Sequence, residues 1–343
     1  MRRAILAAPG RIELVEAPDP VPGPGEVVLA VVAALTCGTD LKAWRRGHPK
    51  MPTPTPFGHE YAGVVAAVGA GVRAFREGDA VMGVPTAPCG GPECPFCRRR
   101  QENLCPQVMG RLLLGAYADR LLVPAHIVAR HLFPKPAALP FEEAAALEPL
   151  ACVAHSLGRM ALAADDTVLV IGAGGFGLLH VAALRAIGVG RVIVAGRRAA
   201  RLALARELGA SLVLDAARDD VAAALAEATG GRGPDAVIEC TGQPEGWSEA
   251  IARVRPGGTV CLFGGLPGGS RFPLDATRLH YDELRLLSPF HFTPADVEAA
   301  RAWLSAGAVP VRSLLSGEVP LERLARAFEA MAAGEGIKYV VRP

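Results

Sequence analysis

The chain has 343 residues, of which 51% are hydrophobic and 20% are charged. This balance is typical of folded proteins, and the length predicts about two domains rather than one hydrophobic core. Lys and Arg number 36 against 34 Asp and Glu, so we expect no nucleic-acid partner. No apolar run approaches the ~20 residues that cross a bilayer, so we expect no membrane partner and a cytoplasmic protein.

The first part of the chain, to about residue 150, is interrupted by Pro and Gly and carries short β-type runs. The start predicts a first strand, because Pro9 and Arg11 break its apolar run before it reaches the length of a signal sequence. Another strand is predicted from Glu26 to Val32. We therefore predict a domain rich in strands and loops.

From about residue 165, apolar strands alternate with Ala- and Leu-rich helical stretches, which predicts a doubly wound parallel sheet of about six strands covered by helices. After about residue 290, a helix opens at Pro294 and a last strand runs from Lys338 to Val341. The segments predicted before these are strands Thr167 to Ile171, Arg191 to Ala195, Ser211 to Leu214, Ala236 to Glu239 and Thr259 to Phe263, and helices Gly177 to Ile187 and Arg201 to Leu208.

Four of the eight cysteines lie within 17 positions, which is enough for a closed tetrahedral zinc site. The residues between them include Gly and Pro, which form the turns that let side chains converge from a loop. The alternative is a set of free thiols; a disulfide framework is not expected in so long a chain. The predicted ligands of this structural zinc are Cys89, Cys94, Cys97 and Cys105.

An apolar strand from Val168 runs into a G-x-G-x-x-G turn and then a helix. In this context the glycines allow a tight turn, close approach of the backbone to a pyrophosphate, and close packing of helix on strand. The alternative is a glycine-rich turn without a ligand. The predicted cofactor contacts here are Gly172, Gly174, Gly175, Phe176 and Gly177.

The next strand ends in Gly196, Arg197 and Arg198, where an NAD-specific site would carry a carboxylate. Two guanidinium groups beside a small residue suit a 2′-phosphate, so the sequence favours NADP over NAD. The alternative is that both arginines are the solvated start of a helix.

A second metal site is suggested by Cys37, by His59 and Glu60, and by Glu148. Thiolate, imidazole and carboxylate together suit a catalytic zinc, because a mixed set leaves a position for water or substrate. Each residue also has an ordinary explanation as a core thiol, a core histidine or a helix-end carboxylate. Spacing alone does not join them.

The run Gly58-His59-Glu60-Tyr61-Ala62-Gly63 resembles the zinc signature of the medium-chain alcohol dehydrogenases. The run Cys37-Gly38-Thr39-Asp40, the four-cysteine lobe and the glycine turn follow the same family's order, and Glu148-Pro149-Leu150 resembles its sorbitol and threonine dehydrogenase branch. The resemblance implies a GroES-like β-rich catalytic domain with the structural zinc lobe (residues 1–151), an inserted Rossmann domain (152–291) and a return to the catalytic domain (292–343).

The resemblance also implies roles for single residues. It makes Cys37, His59 and Glu60 ligands of the catalytic zinc, with Glu148 as a fourth ligand or the partner of zinc-bound water. Thr39 would hold the alcohol proton, Asp40 would orient His59 and Arg201 would lie along the cofactor. Two zinc ions per chain and a homo-oligomer, tetramer or dimer, are implied as well.

Departures from the family pattern concern the proton path and the substrate. Lys42 stands where many relatives have a proton-relaying histidine, so His48 or bulk water would take that role. In the segment Phe290-His291-Phe292, sorbitol dehydrogenases carry Arg and Tyr at the last two positions, where they touch the polyol. With Trp44, Phe290 and Phe292 lining the pocket, a less hydroxylated or cyclic alcohol becomes as plausible as sorbitol.

We expect a small-molecule substrate: a secondary alcohol, such as a polyol or cyclitol, oxidised reversibly to its ketone with NADP. A threonine 3-dehydrogenase-like reaction is the alternative within the enzyme class. From another class, the alternative is a non-catalytic NADPH-binding protein, although such relatives typically lack the ligands of the catalytic zinc. The basic run of residues 45–50 also leaves an anionic substrate open.

Overall fold

The computed structural model describes the whole chain, Met1–Pro343. Its contacts divide the chain into two compact units. Unit 1 comprises Met1–Ala151, Phe292–Gly307 and Val311–Pro343, and unit 2 comprises Cys152–His291 and Ala308–Pro310. None of the helices combines the length and the apolar character that crossing a bilayer requires.

The elements follow one another in mixed order along the chain. The strands are β1 (Arg2–Ala8), β2 (Arg11–Glu16), β3 (Val27–Leu35), β4 (Thr55–Pro56), β5 (Glu60–Val68), β6 (Ala80–Gly83), β7 (Arg120–Val123), β8 (Leu132–Pro134), β9 (Thr167–Ile171), β10 (Arg191–Gly196), β11 (Leu212–Asp215), β12 (Ala236–Glu239), β13 (Thr259–Leu262), β14 (Arg285–Leu287), β15 (Leu315–Pro320) and β16 (Lys338–Arg342). The helices are α1 (Gly38–Arg46), α2 (Pro95–Arg98), α3 (Pro106–Gly110), α4 (Ala125–Val128), α5 (Phe141–Ala144), α6 (Leu147–Gly158), α7 (Gly175–Ala186), α8 (Ala199–Glu207), α9 (Val221–Thr229), α10 (Pro244–Arg253), α11 (Ala276–Tyr281), α12 (Pro294–Ser305) and α13 (Leu324–Ala333), with 3-10 turns at Glu102–Leu104, Val311–Leu314 and Leu321–Arg323.

Unit 1 is built on β-sheets, as the Pro- and Gly-rich texture predicts. A three-stranded sheet has the order β2-β1-β4, and a larger one runs β15-β16-β3-β5-β6-β8, with β7 also paired to β3. Strand β16, from the end of the chain, pairs antiparallel with β3, where Val340 faces Leu35. The core of this unit includes the fully buried rings of Phe57, Tyr117 and Phe328.

Unit 2 is a six-stranded parallel sheet of order β11-β10-β9-β12-β13-β14, which confirms the predicted doubly wound sheet. Its inner strands are almost wholly apolar, because helices cover both faces. The direction of winding changes at β9, which lies between β10 and β12. Ligands of such sheets bind at the carboxyl ends of the strands at this switch point, and the glycine turn follows β9 directly.

Candidate active site and cofactor site

The four clustered cysteines converge in one loop of unit 1. The sulfur atoms of Cys89, Cys94, Cys97 and Cys105 lie within 4.8 Å of one another, and none forms a disulfide. The Sγ atoms of Cys89 and Cys97 are 3.6 Å apart. Four Zn–S bonds of ~2.3 Å in a tetrahedron place sulfurs about 3.8 Å apart, so the donor set fits a closed zinc site.

The thiols of this loop differ in pKa. A backbone N–H of Cys97 donates to the Cys94 sulfur and lowers the pKa of Cys94 to about 7, whereas burial raises the pKa of Cys97 to about 12. The guanidinium of Arg130 donates to the Cys89 carbonyl at 3.2 Å and fixes the start of the loop. A lowered thiol pKa favours the thiolate, the form that binds metal.

A second candidate metal group lies in the buried part of unit 1. The ligand atoms of Cys37, His59 and Glu60 lie within 4.8 Å of one another, and all three residues are buried. Strand pairing brings them together: Glu60 faces Leu35 across β5 and β3, and Cys37 follows the end of β3 as the N-cap of α1. The backbone N–H of Thr39 donates to the Cys37 sulfur at 3.4 Å.

The charged groups around this site shift one another's pKa values. The Nδ1 atom of His59 is 3.0 Å from Oδ1 of the fully buried Asp40. Burial opposes the charged imidazole, but Asp40 and Cys37 outweigh it and hold the pKa of His59 well above its ordinary value. Burial, and next the nearby Glu60, raise the pKa of Cys37. With Nδ1 turned to Asp40, Nε2 is the ring nitrogen left for a metal, the usual arrangement at zinc sites.

Glu60 is also paired with a lysine from the end of the chain. The Nζ atom of Lys338 donates to both carboxylate oxygens of Glu60 and, at 2.8 Å, to the carbonyl of Thr36. Burial raises the pKa of Glu60 to about 7; Lys338 opposes this rise and Glu148 adds to it. Glu148 is buried in α6, but it is not one of the three residues whose ligand atoms converge.

The residues predicted to handle protons lie on or near α1. Thr39 is half-buried in the first turn, and Lys42 is exposed one turn later. The pKa of His48 is lowered, mainly by burial and next by the charge of Lys42. The charges of Asp40 and His59 also affect this pKa. The backbone N–H of Lys50 donates to His48 Nδ1 at 3.2 Å.

A cavity of about 610 Å³ opens at the carboxyl end of the unit 2 sheet. Gly172 adopts φ +100, and a Cβ at Gly177 would lie 1.9 Å from the Gly172 carbonyl oxygen, so both positions require glycine. Gly175 and Phe176 begin α7 without lining the cavity, and the Phe176 ring packs on Phe263 at 4.8 Å. The predicted cofactor residues that line the cavity are Gly172, Gly174, Gly196, Arg197, Arg198 and Arg201.

The aromatic residues predicted for the substrate pocket occupy different environments. Trp44 stacks on Phe328 in unit 1, with ring centroids 6.1 Å apart. Phe292 is buried, and its ring lies 6.4 Å from that of His131. Phe290 is 50% exposed, and its neighbour His291 has a left-handed φ of +59. Trp44 and Phe292 therefore contribute to packing within unit 1.

Comparison with known proteins gives two family models and full-length relatives. Residues 23–135 match the alcohol dehydrogenase GroES-like domain, and residues 175–306 match the zinc-binding dehydrogenase model. The sorbitol dehydrogenase of Bacillus subtilis is 31% identical, over 100% of this chain and 97% of its own. The chain belongs to the zinc-dependent medium-chain alcohol dehydrogenases. It is an enzyme that oxidises CH–OH donors, which are small-molecule alcohols in this family.

Two further relatives of this dehydrogenase extend the comparison. The L-threonine 3-dehydrogenase of Pyrococcus abyssi is 35% identical over 75% of this chain and 73% of its own. A Sinorhizobium meliloti protein described as a zinc-binding dehydrogenase, with NADP bound, has a TM-score of 0.91 at 31% identity and covers 100% and 99% of the two chains. Together these matches confirm the GroES-like and Rossmann architecture predicted from the resemblance.

Sequence reasoning missed two residues that contact the metal group of this dehydrogenase or its neighbour Asp40. Lys338 pairs with Glu60, and the hydroxyl of Tyr117 contacts Asp40 at 2.6 Å. A lysine at the start of the predicted final strand, directly before Tyr339, Val340 and Val341, is the signal for the first. Tyr117 has no comparable signal, because it lies 77 positions from Asp40.

Proposed function

We propose that this dehydrogenase oxidises a secondary alcohol, such as a polyol or cyclitol, reversibly to its ketone, with NADP as the hydride acceptor. The convergence of Cys37, His59 and Glu60 in the interior of unit 1 carries the proposal. These residues would hold the catalytic zinc, and the four-cysteine lobe would hold a structural one. When bound, a catalytic zinc supplies Lewis acidity toward the alcohol oxygen.

The chain's own groups would then orient the site and move a proton. Asp40, 3.0 Å from His59 Nδ1, would fix the tautomer of the imidazole. The hydroxyl of Thr39, on the first turn of α1, would accept the alcohol proton and donate its own onward. His48 is our candidate for the next step, because its lowered pKa favours the neutral ring, which can accept a proton.

Glu60 has two possible partners in this scheme, the metal and Lys338. Both carboxylate oxygens accept from Lys338 Nζ, so the ammonium would offset the charge of Glu60 whenever the carboxylate is not a ligand. Glu148 raises the pKa of Glu60 and lies in the same buried region, which suits the position of a fourth ligand or of a partner for bound water.

NADP is proposed because positive groups meet at the end of β10. Gly196 ends the strand, and Arg197, Arg198 and Arg201 line the cavity that begins at the glycine turn. Arg201 is close enough to Arg198 for the second charge to lower its pKa, after burial, which is the larger cause. Guanidinium groups at the end of β10, where an NAD-specific site carries a carboxylate, favour a 2′-phosphate over a free ribose hydroxyl.

Replacing the arginines tests the cofactor proposal. Arg197→Ala and Arg198→Ala should each raise the KM for NADP about tenfold and change the KM for NAD little, since one charge-assisted hydrogen bond contributes about 1.5 kcal/mol. Arg206→Ala, at the exposed end of α8 and outside the cavity, serves as the matched control. A wild-type enzyme with higher kcat/KM for NAD than for NADP would refute the preference.

A substrate screen tests the reaction itself. Purified enzyme would be assayed with polyols, cyclitols, simple secondary alcohols and L-threonine, each with NADP and NAD, and with ketones in the reverse direction. We expect the highest kcat/KM with a secondary alcohol that is not an amino acid. Preference for L-threonine would instead favour the alternative raised by the Glu148-Pro149-Leu150 motif and by the Pyrococcus relative.

We also propose a homo-oligomer in the cytoplasm. Strand β14 is an edge of the unit 2 sheet, and Tyr281, at the end of the helix before it, is 78% exposed. An unpaired edge with exposed aromatic surface suits association with a second copy. All eight cysteines are free, as suits a reducing compartment. Light scattering of the purified chain would give the dimer or tetramer mass.

A further inference from the structure

The side chain of Tyr117 ends inside the interior of unit 1, beside the candidate catalytic metal group. Its hydroxyl is 2.6 Å from Asp40 Oδ2 and 3.0 Å from the carbonyl oxygen of Leu35. Both Tyr117 and Asp40 are fully buried. A phenol has a single proton, and a carboxylate is a stronger acceptor than a carbonyl. Tyr117 therefore donates to Asp40.

The position of the ring is fixed by the chain on both sides. The backbone N–H of Tyr117 donates to the carbonyl of Phe57, and its carbonyl accepts from Ala4. Gly58, the residue before His59, has φ +90, and a Cβ there would lie 2.7 Å from the Tyr117 ring. The glycine of the Gly58-His59-Glu60 motif thus leaves the space in which the tyrosine lies.

Asp40 links this hydroxyl to the imidazole. One carboxylate oxygen faces Tyr117, and the other lies 3.0 Å from His59 Nδ1. A carboxylate with no exposed surface needs close donors, because an unpaired buried acceptor is costly, and Oδ1 has only the ion-pair contact with His59. Without the hydroxyl, Oδ2 would lose its close donor and the carboxylate would be free to turn from the direction that serves His59.

We propose that Tyr117 is a positioning residue of the catalytic zinc site: its hydroxyl holds Asp40 so that Asp40 keeps His59 Nε2 directed at the metal. The inference rests on the proposed zinc ligands Cys37, His59 and Glu60. Partners beyond the metal ligands typically change metal affinity 10- to 100-fold when removed. Tyr117 acts through one more residue, so we expect an effect at the lower end of this range.

Zinc release from the full chain to a chromogenic chelator tests this without using activity. Tyr117→Phe keeps the ring and should release the catalytic zinc about 10-fold faster than the wild type. Tyr61→Phe is the matched control, since Tyr61 is also fully buried but its hydroxyl faces the Val84 carbonyl at 3.4 Å. This control should release zinc at the wild-type rate. Equal rates for Tyr117→Phe and the wild type would overturn the inference.

A double-mutant cycle separates positioning from a general loss of packing. If Tyr117 acts through Asp40, then Tyr117→Phe should add nothing to the release rate of Asp40→Asn. A full additional acceleration in the double variant would overturn the inference. Cys37→Ala identifies the release phase, because it should lack the catalytic zinc; if it released as much zinc as the wild type, the proposed ligand set would fail instead.

Discussion

His180 is a fully buried histidine in the sheet unit, far in sequence from the metal ligands. Its ring nitrogens meet the Phe176 carbonyl and the Ser156 hydroxyl, each at 2.7 Å, and its ring packs edge-on against Phe263. Burial lowers its pKa from 6.5 to about 4, although the Phe176 carbonyl opposes the change. The folded protein thus keeps His180 neutral at pH values where an exposed histidine is charged.

This shift predicts a loss of stability in acid. Between pH 6.5 and 4 this histidine is protonated in the unfolded chain but stays neutral in the folded chain. The free energy of unfolding therefore decreases as the pH is lowered, by about 2 kcal/mol at pH 5. His180→Gln should remove this part of the decline. Urea unfolding at pH 7 and pH 5 measures it, with the exposed His280→Gln as control; the same decline in His180→Gln and the wild type would contradict the assignment.

At the same scale, sequence motifs predicted residues that strand pairing brings together. The motifs suggest one metal site from Cys37, His59, Glu60 and Glu148, although spacing alone does not join them. The structure places the ligand atoms of the first three within 4.8 Å of one another. Lys338 was predicted only as part of a strand, although it contacts Glu60 across 278 positions. Such contacts depend on the register of distant strands, which local spacing does not encode.

At the scale of elements, the turn between β9 and α7 determines where a dinucleotide can bind. Gly177 lies against the Gly172 carbonyl, whereas a Cβ on Gly174 would meet nothing within 4 Å and its φ of −84 is open to any residue. Gly177 is therefore required by the fold. Gly174 is required only if a phosphate approaches its backbone.

Alanine substitutions should separate these two requirements. Gly174→Ala should leave the free energy of unfolding within about 0.5 kcal/mol of the wild type yet raise the Kd for NADP about tenfold. Gly177→Ala should lower stability by about 1–3 kcal/mol as well, because the backbone must shift. Melting curves and NADPH fluorescence titrations measure both. If Gly174→Ala bound NADP with wild-type affinity, the pyrophosphate would not lie against the backbone of this residue.

Prediction of elements was better for unit 2 than for unit 1. The β9 and β12 segments match the structure residue for residue, because buried parallel strands are short, continuous apolar runs. Helix α7 begins at Gly175, two residues before the predicted start, since Gly174 serves as its N-cap. In unit 1, strands such as β4 and β8 are only two or three residues long and carry no readable periodicity.

At the scale of the whole molecule, early and late parts of the chain contribute to one sheet. Strand β16 pairs with β3, and through Lys338 the last strand also contacts Glu60. Periodicity along the chain predicted a final strand but could not say which sheet it joins. The family resemblance implied the return of the chain end, because the same order of motifs occurs in the medium-chain alcohol dehydrogenases.

The zinc content of the purified full chain, measured with turnover on the same samples, tests the zinc mechanism most directly. The wild type should hold two zinc ions per chain and reduce NADP with a secondary alcohol. Cys37→Ala should hold one, lose turnover and bind NADPH with unchanged affinity, because the four-cysteine lobe and the glycine turn are intact. A Cys37→Ala enzyme that keeps both zinc ions, or that turns over normally, would contradict the proposed mechanism.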